Sequence, residues 1–419
     1  MASACGGGGV AEPGSGRPRA RTPQDRTSDS RGFTGFRGSV GPRAPFLRSS
    51  GEPPGAPAPG RHGSGQRRVA AGLLPWRFDG GEDMATELFG RPIEHARERR
   101  GSLAQTAAVE SSIMTDGPSA GMRRIRMTAG DVDLELLPDR GLDLGQVRVG
   151  GVPLAWLSPT GFPRAGVHDA DGSGFTRAFG GGLLTTCGLQ NVGPAAEDGG
   201  EQHPMHGRYT SLPATVVRAE ATDDQVVVEA VVRESAVFGV HLELRRRVTL
   251  VPGERIIRVE DVLTNRGADA VEPMVLYHLN FGWPLVDEGT RLRTPATAVR
   301  PRDEQAAVGA DTWDTFPAPS HPYPEQVFAH ELPADERVAV EVVNPRGLSV
   351  AVRFDTAQLP GLFQWRVAQQ GLFVLGVEPA LVPTILGRAA AREQGLLRPL
   401  APGAALTLGV EIEASGSLS

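Results

Sequence analysis

The segment ATVVRAEATDDQVVVEAVVRESAVFGVHLELRRRVTLVPGERIIRVEDVLT (residues 214–264) alternates apolar and polar residues over several consecutive pieces. A period of two is typical of a strand with one buried face. Turn-forming residues separate the pieces at Asp223-Asp224 and at Pro252-Gly253-Glu254, and Asn265-Arg266-Gly267 closes the run. The segment therefore predicts a series of consecutive antiparallel strands.

The same pattern extends in both directions. Upstream, residues 123–137 place apolar side chains at alternate positions on either side of Gly130-Asp131, which predicts a hairpin. Downstream, VAVEVV (338–343) and LSVAVRF (348–354) flank a turn, and LTLGVEIE (406–413) is a terminal strand. Helical signal is weak and is confined to about residues 85–108. We therefore predict an all-β fold, a large antiparallel β-sandwich.

The N-terminal segment differs in composition from the rest. Residues 1–83 contain 18 Gly, 10 Pro and 12 Arg and no sustained apolar periodicity. Such a segment buries too little apolar surface to offset its ordering entropy, so we predict a disordered tail. Binding of nucleic acid by its arginines is the alternative. Met84 begins an ordinary protein start, MATELFGRPIE, and we expect it to be the true initiator. The sandwich domain is thus predicted for residues 84–419.

Composition excludes several classes of function. All 43 basic residues are arginine, which excludes a Schiff-base lysine and the P-loop lysine. A net charge of −6 argues against nucleic acid as the partner of the domain. The two cysteines, Cys5 and Cys187, cannot form a disulfide framework or a cysteine-rich zinc site, so we predict a reducing, cytoplasmic setting. No segment is apolar and long enough to predict a membrane span or signal peptide.

Four short strings contain residues capable of acid–base or binding chemistry. HPMHGR (203–208) contains His203 and His206 in a loop-like context, and YHLNFGWPL (277–285) contains His278 among aromatic residues. Glu378 follows an apolar run in LFVLGVEPA (372–380), where burial would raise its pKa. Arg140 lies between turn residues in LPDRGLDLG (137–145).

Each of these residues also has a structural interpretation. The two histidines at i and i+3 could ligate a metal, but two ligands at that spacing are a weak signal. His278 could be a satisfied core histidine, Glu378 an ion-pair or capping residue, and Arg140 a turn residue. The residues alone predict a β-sandwich with two histidines and a glutamate, and they leave open whether these three side chains converge.

The order of the strings resembles the aldose 1-epimerase (galactose mutarotase-like) superfamily, and most closely its uncharacterised bacterial branch, a domain of unknown function. The matching strings span most of residues 130–416: LPDRGLDLG, LAWLSPTG, GGLLTTCGLQNVG, HPMHGR, LTNRGADAVEPMVLYHLNFGWPL, FQWR and GLFVLGVEPA. The resemblance implies a large antiparallel β-sandwich and interconversion of the α and β anomers of free sugars, without a metal or cofactor.

The resemblance also implies roles for individual residues. Glu378 matches the base that takes the proton of the C1 hydroxyl, and His278 matches the acid that protonates the ring oxygen. His206 matches the second histidine, which holds that oxygen. Arg140 is a looser match to the arginine that contacts the sugar.

The sequence departs from the family pattern at the sugar-binding residues. Arg208 follows the glycine of HPMHGR, and no match to the sugar-contacting aspartate is apparent. Asn280 and Gln364 are our candidates for its replacement. Trp365, like Trp283, could stack on the apolar face of a sugar or pack in the core.

We therefore expect an aldose 1-epimerase-like enzyme that acts on a small-molecule sugar. The alternatives are a non-catalytic sugar-binding protein and a different sugar isomerase or lyase reaction in the same pocket, with a cupin-type metal enzyme more distant. The sequence does not specify the sugar or the oligomeric state.

Overall fold

The computed structural model describes residues 87–164 and 174–418. The predicted N-terminal tail, residues 1–83, lies outside the described residues. Within the two described ranges, no helix has both the length and the apolar character needed to cross a lipid bilayer.

Strands are the predominant regular element of the described chain. They are β1 (Glu87–Leu88), β2 (Arg91–Pro92), β3 (Ala107–Ile113), β4 (Arg123–Ala129), β5 (Val132–Leu137), β6 (Asp143–Val149), β7 (Val152–Pro153), β8 (Leu184–Leu189), β9 (Ala196–Asp198), β10 (Glu201–His203), β11 (Thr215–Ala221), β12 (Val226–Ser235), β13 (His241–Leu250), β14 (Ile256–Asn265), β15 (Met274–Gly282), β16 (Arg291–Arg293), β17 (Ala298–Pro301), β18 (Gln326–Glu331), β19 (Arg337–Val343), β20 (Ser349–Asp355), β21 (Gly361–Gln369), β22 (Leu372–Ala380) and β23 (Ala405–Ser415). The α-helices are short: α1 (Ile93–Arg99), α2 (Gly174–Ala178), α3 (Glu304–Ala307) and α4 (Arg388–Glu393).

Two large antiparallel sheets form a sandwich, which confirms the predicted fold class. The first has the strand order β11-β12-β13-β14-β23-β20-β19-β16. The second has the order β17-β18-β21-β22-β15-β8-β6-β5-β4-β3, with β7 paired to β6. The segment 214–264 forms β11 to β14, which are successive neighbours in the first sheet. The predicted hairpin is β4–β5, with Ala129 opposite Val132.

Alternating apolar side chains fill the space between the sheets. Along β14 every second residue is buried, and Val259 and Leu263 point into the core. In contrast, every residue of β15 is buried. β15 lies in the interior of the second sheet, and its second face is covered by the segments that form the cleft described below.

A buried ionic cluster joins the two sheets behind β15. Arg246 on β13 donates to both oxygens of Asp261 on β14 at 2.9 and 2.7 Å, and to Asp143 on β6 at 3.1 Å. The hydroxyl of Tyr277 on β15 donates to Asp261 at 2.7 Å. These charge-assisted bonds are directional, so they set the position of β15 relative to the opposite sheet.

Candidate functional site

The centre of the second sheet places His278 and Glu378 side by side. β15 and β22 are antiparallel neighbours, and the pairing of Leu279 with Val377 sets His278 opposite Glu378. His278 Nε2 lies 3.3 Å from Glu378 Oε1. Tyr277 and Leu279, the neighbours of His278, point to the other face of the sheet, because successive residues of a strand alternate. The two side chains predicted as acid and base are therefore in contact.

A tight turn after β10 brings His206 to the same place. His206 has a left-handed backbone (φ 55°), and Gly207 follows with φ 70°. A Cβ on Gly207 would lie 2.2 Å from the carbonyl oxygen of Gly188, so the turn requires glycine there. The backbone N–H of Gly193 points at His206 Nδ1 at 3.4 Å. With Nδ1 as acceptor, neutral His206 carries its proton on Nε2, as a donor.

Aromatic rings enclose the histidines and form the walls of a cleft of about 520 Å³. The ring centroid of Phe175 on α2 lies 4.8 Å from that of His206, and the ring centroid of Phe179 lies 5.2 Å from that of His278. The indole of Trp365 on β21 lies 5.4 Å from His278. A cleft of this size with apolar walls and few polar groups is typical of a small-molecule site.

Three charged residues line the cleft where it meets solvent, and we refer to Arg302, Asp303 and Glu325 as the mouth cluster. Arg302 Nε donates to Asp303 at 2.7 Å, and Arg302 Nη2 donates to Glu325 at 3.0 Å. The indole N–H of Trp365 donates to the other oxygen of Glu325 at 3.0 Å. No sequence signal indicated this cluster, because these residues lie in connections without periodicity or a motif.

Burial controls the protonation of the central residues. It raises the pKa of Glu378 to about 8, with the Glu325 carboxylate adding to the effect. It lowers the pKa of His278 to about 3, with His206 adding to the effect, and lowers the pKa of His206 to about 4. Near neutral pH, Glu378 is therefore protonated and both histidines are neutral.

The Glu378 carboxyl group has unused hydrogen-bonding capacity. Although His278 Nε2 is only 3.3 Å away, the contact is not aligned as a hydrogen bond, and neither oxygen of Glu378 has a partner among the described residues. Buried polar groups are nearly always paired, so an unpaired carboxyl in a cleft is suited to pair with a bound molecule. The His278–Glu378 pair can therefore accept a proton from a bound ligand and donate one to it.

Arg140 lies behind the cleft and does not line it. Its guanidinium group is buried and donates to the carbonyl oxygens of Pro163 at 3.0 Å and Ala178 at 2.9 Å, and to the hydroxyl of Thr210 at 3.3 Å. Ala178 is the last residue of α2, which carries Phe175. Arg140 thus holds the end of α2 in place, whereas the resemblance implied that it contacts the sugar.

The other predicted binding residues have different outcomes. Trp365 lines the cleft. Asn280 lies on the same face of β15 as His278 but is fully buried, and it donates to the carbonyl oxygens of Gly182 at 3.0 Å and His278 at 2.9 Å. Gln364 lies outside the cleft, because consecutive residues of β21 point to opposite faces of the sheet.

The histidine pair at positions 203 and 206 is separated by the fold. His203 lines a separate cavity of about 360 Å³, which is polar and also contains the buried Glu234. His206 lines the cleft. Across residues 87–164 and 174–418 there is no group of three or more His, Cys, Asp and Glu side chains that could hold a metal ion.

Comparisons with known proteins agree with this architecture. The family model described as Domain of unknown function (DUF4432) matches residues 119–414. A "putative aldose 1-epimerase" from Klebsiella pneumoniae subsp. pneumoniae MGH 78578 has a similar structure, with a TM-score of 0.69 and 26% identity over 73% of this chain and 83% of that chain. No protein of curated function matches the chain.

More distant structures share the fold. A galactose mutarotase-like protein from Clostridium acetobutylicum matches with a TM-score of 0.55 and 14% identity, over 75% of this chain and 100% of that one. A galactose mutarotase related enzyme from Lactobacillus acidophilus matches with a TM-score of 0.53 and 13% identity, over 71% and 98%. The resemblance inferred from the sequence is confirmed at the level of the superfamily and its branch of unknown function.

Proposed function

The chain belongs to the DUF4432 family of domains of unknown function, and we propose that it is a sugar-binding enzyme of aldose 1-epimerase type, which interconverts the anomers of an aldose by acid–base ring opening. The main support is the buried contact of 3.3 Å between His278 and Glu378, whose carboxyl oxygens have no partner among the described residues. A binding protein has no need of a buried acid and base in contact.

The His278–Glu378 pair carries one titratable proton over a wide pH range. With a pKa of about 8 at Glu378 and about 3 at His278, that proton lies on Glu378 in the free cleft. Its transfer to His278 gives a carboxylate beside an imidazolium with no change in total charge. Because the two groups are in contact, they titrate as a pair, and both arrangements belong to the one-proton state.

Ring opening uses this single proton. The Glu378 carboxylate takes the proton of the C1 hydroxyl, the imidazolium of His278 protonates the ring oxygen, and the C1–O5 bond breaks as the C1 carbonyl forms. The pair is then again a carboxylic acid beside a neutral imidazole, which is the arrangement that burial favours. Rotation about the C1–C2 bond and the reverse proton transfers close the ring as the other anomer.

His206 fits the task of holding the ring oxygen. Its pKa of about 4 keeps the ring neutral, and the contact between Gly193 N–H and Nδ1 leaves Nε2–H as a donor. A neutral donor can bind the oxygen without competing with His278 for its protonation. The sequence-based roles of His206, His278 and Glu378 are all compatible with this arrangement.

The remaining lining favours an uncharged sugar. Trp365 and Phe179 present aromatic faces and edges of the kind that stack on the C–H groups of a pyranose. Among the described lining residues the one arginine, Arg302, is already paired with Asp303 and Glu325. A phosphate or carboxylate on the ligand would have to displace one of these partners. Each carboxylate oxygen has two lone pairs, so Asp303 and Glu325 can still accept from sugar hydroxyl groups while they are paired with Arg302.

The test is anomer exchange measured by NMR at equilibrium on a panel of neutral aldoses, comparing the wild type with Glu378→Gln and Glu234→Gln. Glu234 is a buried carboxyl with a pKa raised by burial, in the separate polar cavity, so it is a matched control. We expect exchange of at least one sugar, lost in Glu378→Gln and retained in Glu234→Gln.

The other outcomes identify the alternatives. Sugar binding without exchange by the wild type would support a non-catalytic binding protein. A product other than the second anomer would support a different isomerase or lyase reaction. Exchange that survives in Glu378→Gln would contradict the role of Glu378.

A further inference from the structure

Glu325 connects two residues of the cleft that come from distant parts of the chain. It immediately precedes β18, and one carboxylate oxygen accepts from Arg302 Nη2 at 3.0 Å. The other oxygen accepts from the indole N–H of Trp365 on β21, also at 3.0 Å. Asp303, the second partner of Arg302, caps α3 by accepting from the backbone N–H of Ala306 at 2.9 Å. One oxygen of Glu325 is thus bound by Arg302, which is itself paired with Asp303, and the other oxygen binds the Trp365 indole.

The orientation of Trp365 matters for the cleft. Its ring packs edge-on against His278 with an interplanar angle of 74°. It also packs against the rings of Trp156 and Phe179, with distances between ring centroids of 6.0 and 6.1 Å. An indole has one polar atom, the Nε1–H group, and this donor fixes the rotation of the ring when it is paired. The bond to Glu325 therefore favours one orientation of the indole against His278.

We propose that Glu325 is a positioning residue of the active site: its carboxylate holds the Trp365 indole in place against His278 and sets a negative charge at the mouth of the cleft. The effect of Glu325 on turnover rests on the proposed function, whereas its effects on the Trp365 indole and on the charge at the mouth of the cleft do not.

The charges around Glu378 support the second part. The titratable and charged groups that contact Glu378 or interact with its charge are His278 on β15, Cys187 on β8, and Glu325 and Arg302 at the mouth. Glu325 raises the pKa of Glu378 and Arg302 lowers it, both after the larger effect of burial. Burial raises the pKa of the Cys187 thiol, with Glu378 adding to it, so this thiol is neutral and contributes no charge. Glu325 is accordingly the negative group that acts on Glu378 from outside the buried pair.

Two substitutions separate the two effects. Glu325→Gln removes the charge and keeps a single acceptor oxygen, for which the donors of Arg302 and Trp365 compete, so this variant tests the electrostatic effect alone. We expect the Glu378 pKa, followed by carbon-13 NMR of its carboxyl carbon in the ligand-free protein, to fall. Glu325→Ala removes the acceptor as well, so the indole signal should shift and broaden, and KM for the sugar should rise by about threefold to tenfold.

Glu331→Gln is the matched control. Glu331 ends the same strand, β18, and pairs with Arg300 on the surface outside the cleft. This variant should leave the Glu378 titration and the Trp365 signal as in the wild type. Assignment of the indole signal comes from its disappearance in Trp365→Phe.

The outcomes are distinct for each claim. An unchanged Glu378 titration in Glu325→Gln overturns the electrostatic role, and an unchanged Trp365 signal in Glu325→Ala overturns the positioning role. Both readouts are made without substrate. If they behave as expected but the wild type exchanges no sugar, the proposed function fails while the assignment of Glu325 as a positioning residue stands.

Discussion

Replacing Glu378 by glutamine tests whether the fold holds this carboxyl group in its protonated form. The side chain is buried and its pKa is raised from 4.5 to about 8, with burial as the main cause. In the unfolded chain the group ionises near its ordinary pKa, whereas in the folded protein it retains its proton up to about pH 8. The folded state therefore binds more protons than the unfolded state between these values, and stability falls as the pH rises.

The size of the effect follows from the two pKa values. The contribution of Glu378 to stability is complete below pH 4.5 and is lost as the pH rises through the folded pKa of about 8. The whole difference corresponds to about 5 kcal/mol, of which about 4 kcal/mol falls between about pH 5 and about pH 9. Glutamine has the shape of the protonated acid and does not ionise, so Glu378→Gln escapes this loss. The variant should be close to the wild type at low pH and more stable at high pH.

Urea unfolding at about pH 5 and about pH 9 measures the difference, because linear extrapolation gives the free energy of unfolding of each protein. His278 and His206, with folded pKa values of about 3 and about 4, stay neutral in the folded protein across this range but titrate in the unfolded chain, so they change the stability of both proteins alike and cancel in the difference between the variant and the wild type. Glu331→Gln, at an exposed ion pair, should follow the wild type at both pH values. A free-energy difference between Glu378→Gln and the wild type that does not change with pH would refute the assignment of a raised pKa.

Four further outcomes are expected. The rate of anomer exchange should fall as the pH rises through about 8, because the His278–Glu378 pair then loses its only proton; a pH–rate profile checks this. His278→Gln should lower the exchange rate by about 100- to 10,000-fold, whereas His330→Gln, at a buried histidine outside the cleft, should retain it. Arg140→Met leaves unpaired the backbone carbonyls of Pro163 and of Ala178, the last residue of α2, so the melting temperature should fall and KM should rise more than kcat falls. A sugar 6-phosphate should bind at least tenfold more weakly than the same free sugar by calorimetry, because Arg302 is already paired; equal affinity would contradict this view of the mouth cluster.

The strands of the first sheet were predictable from local pattern alone. β11, β13, β14 and the second half of β12 alternate more buried with more exposed positions, so apolar and polar residues alternate there and turn residues mark the ends. The pattern failed where both faces are buried. In β15 every position is buried, so the string MVLYHLNFG shows no period, and its partners in the sheet could not be inferred.

The pairing of the sheet created the site. His278 and Glu378 are 100 residues apart in the sequence, and only the register of β15 against β22 sets them side by side. The family resemblance identified both residues, but no local signal required them to touch. The position of Gln364, in contrast, has a local explanation. Gln364 and Trp365 are adjacent in one strand, so their side chains cannot both face the cleft. That distinction was available from the sequence once FQWR was assigned to a strand.

The sequence by itself therefore determined the class of fold and the residue types at the centre of the cleft, since alternating burial and chemical identity are local properties. The tertiary structure decided which of these residues meet and how they are charged. It moved Arg140 behind the cleft and brought Arg302 and Glu325 to its mouth from connections without a pattern. It also moved the pKa of Glu378 in the direction opposite to those of the histidines. The physical reason is that contact, burial and electric field depend on strand pairing between distant segments, and these quantities do not exist until the chain has folded.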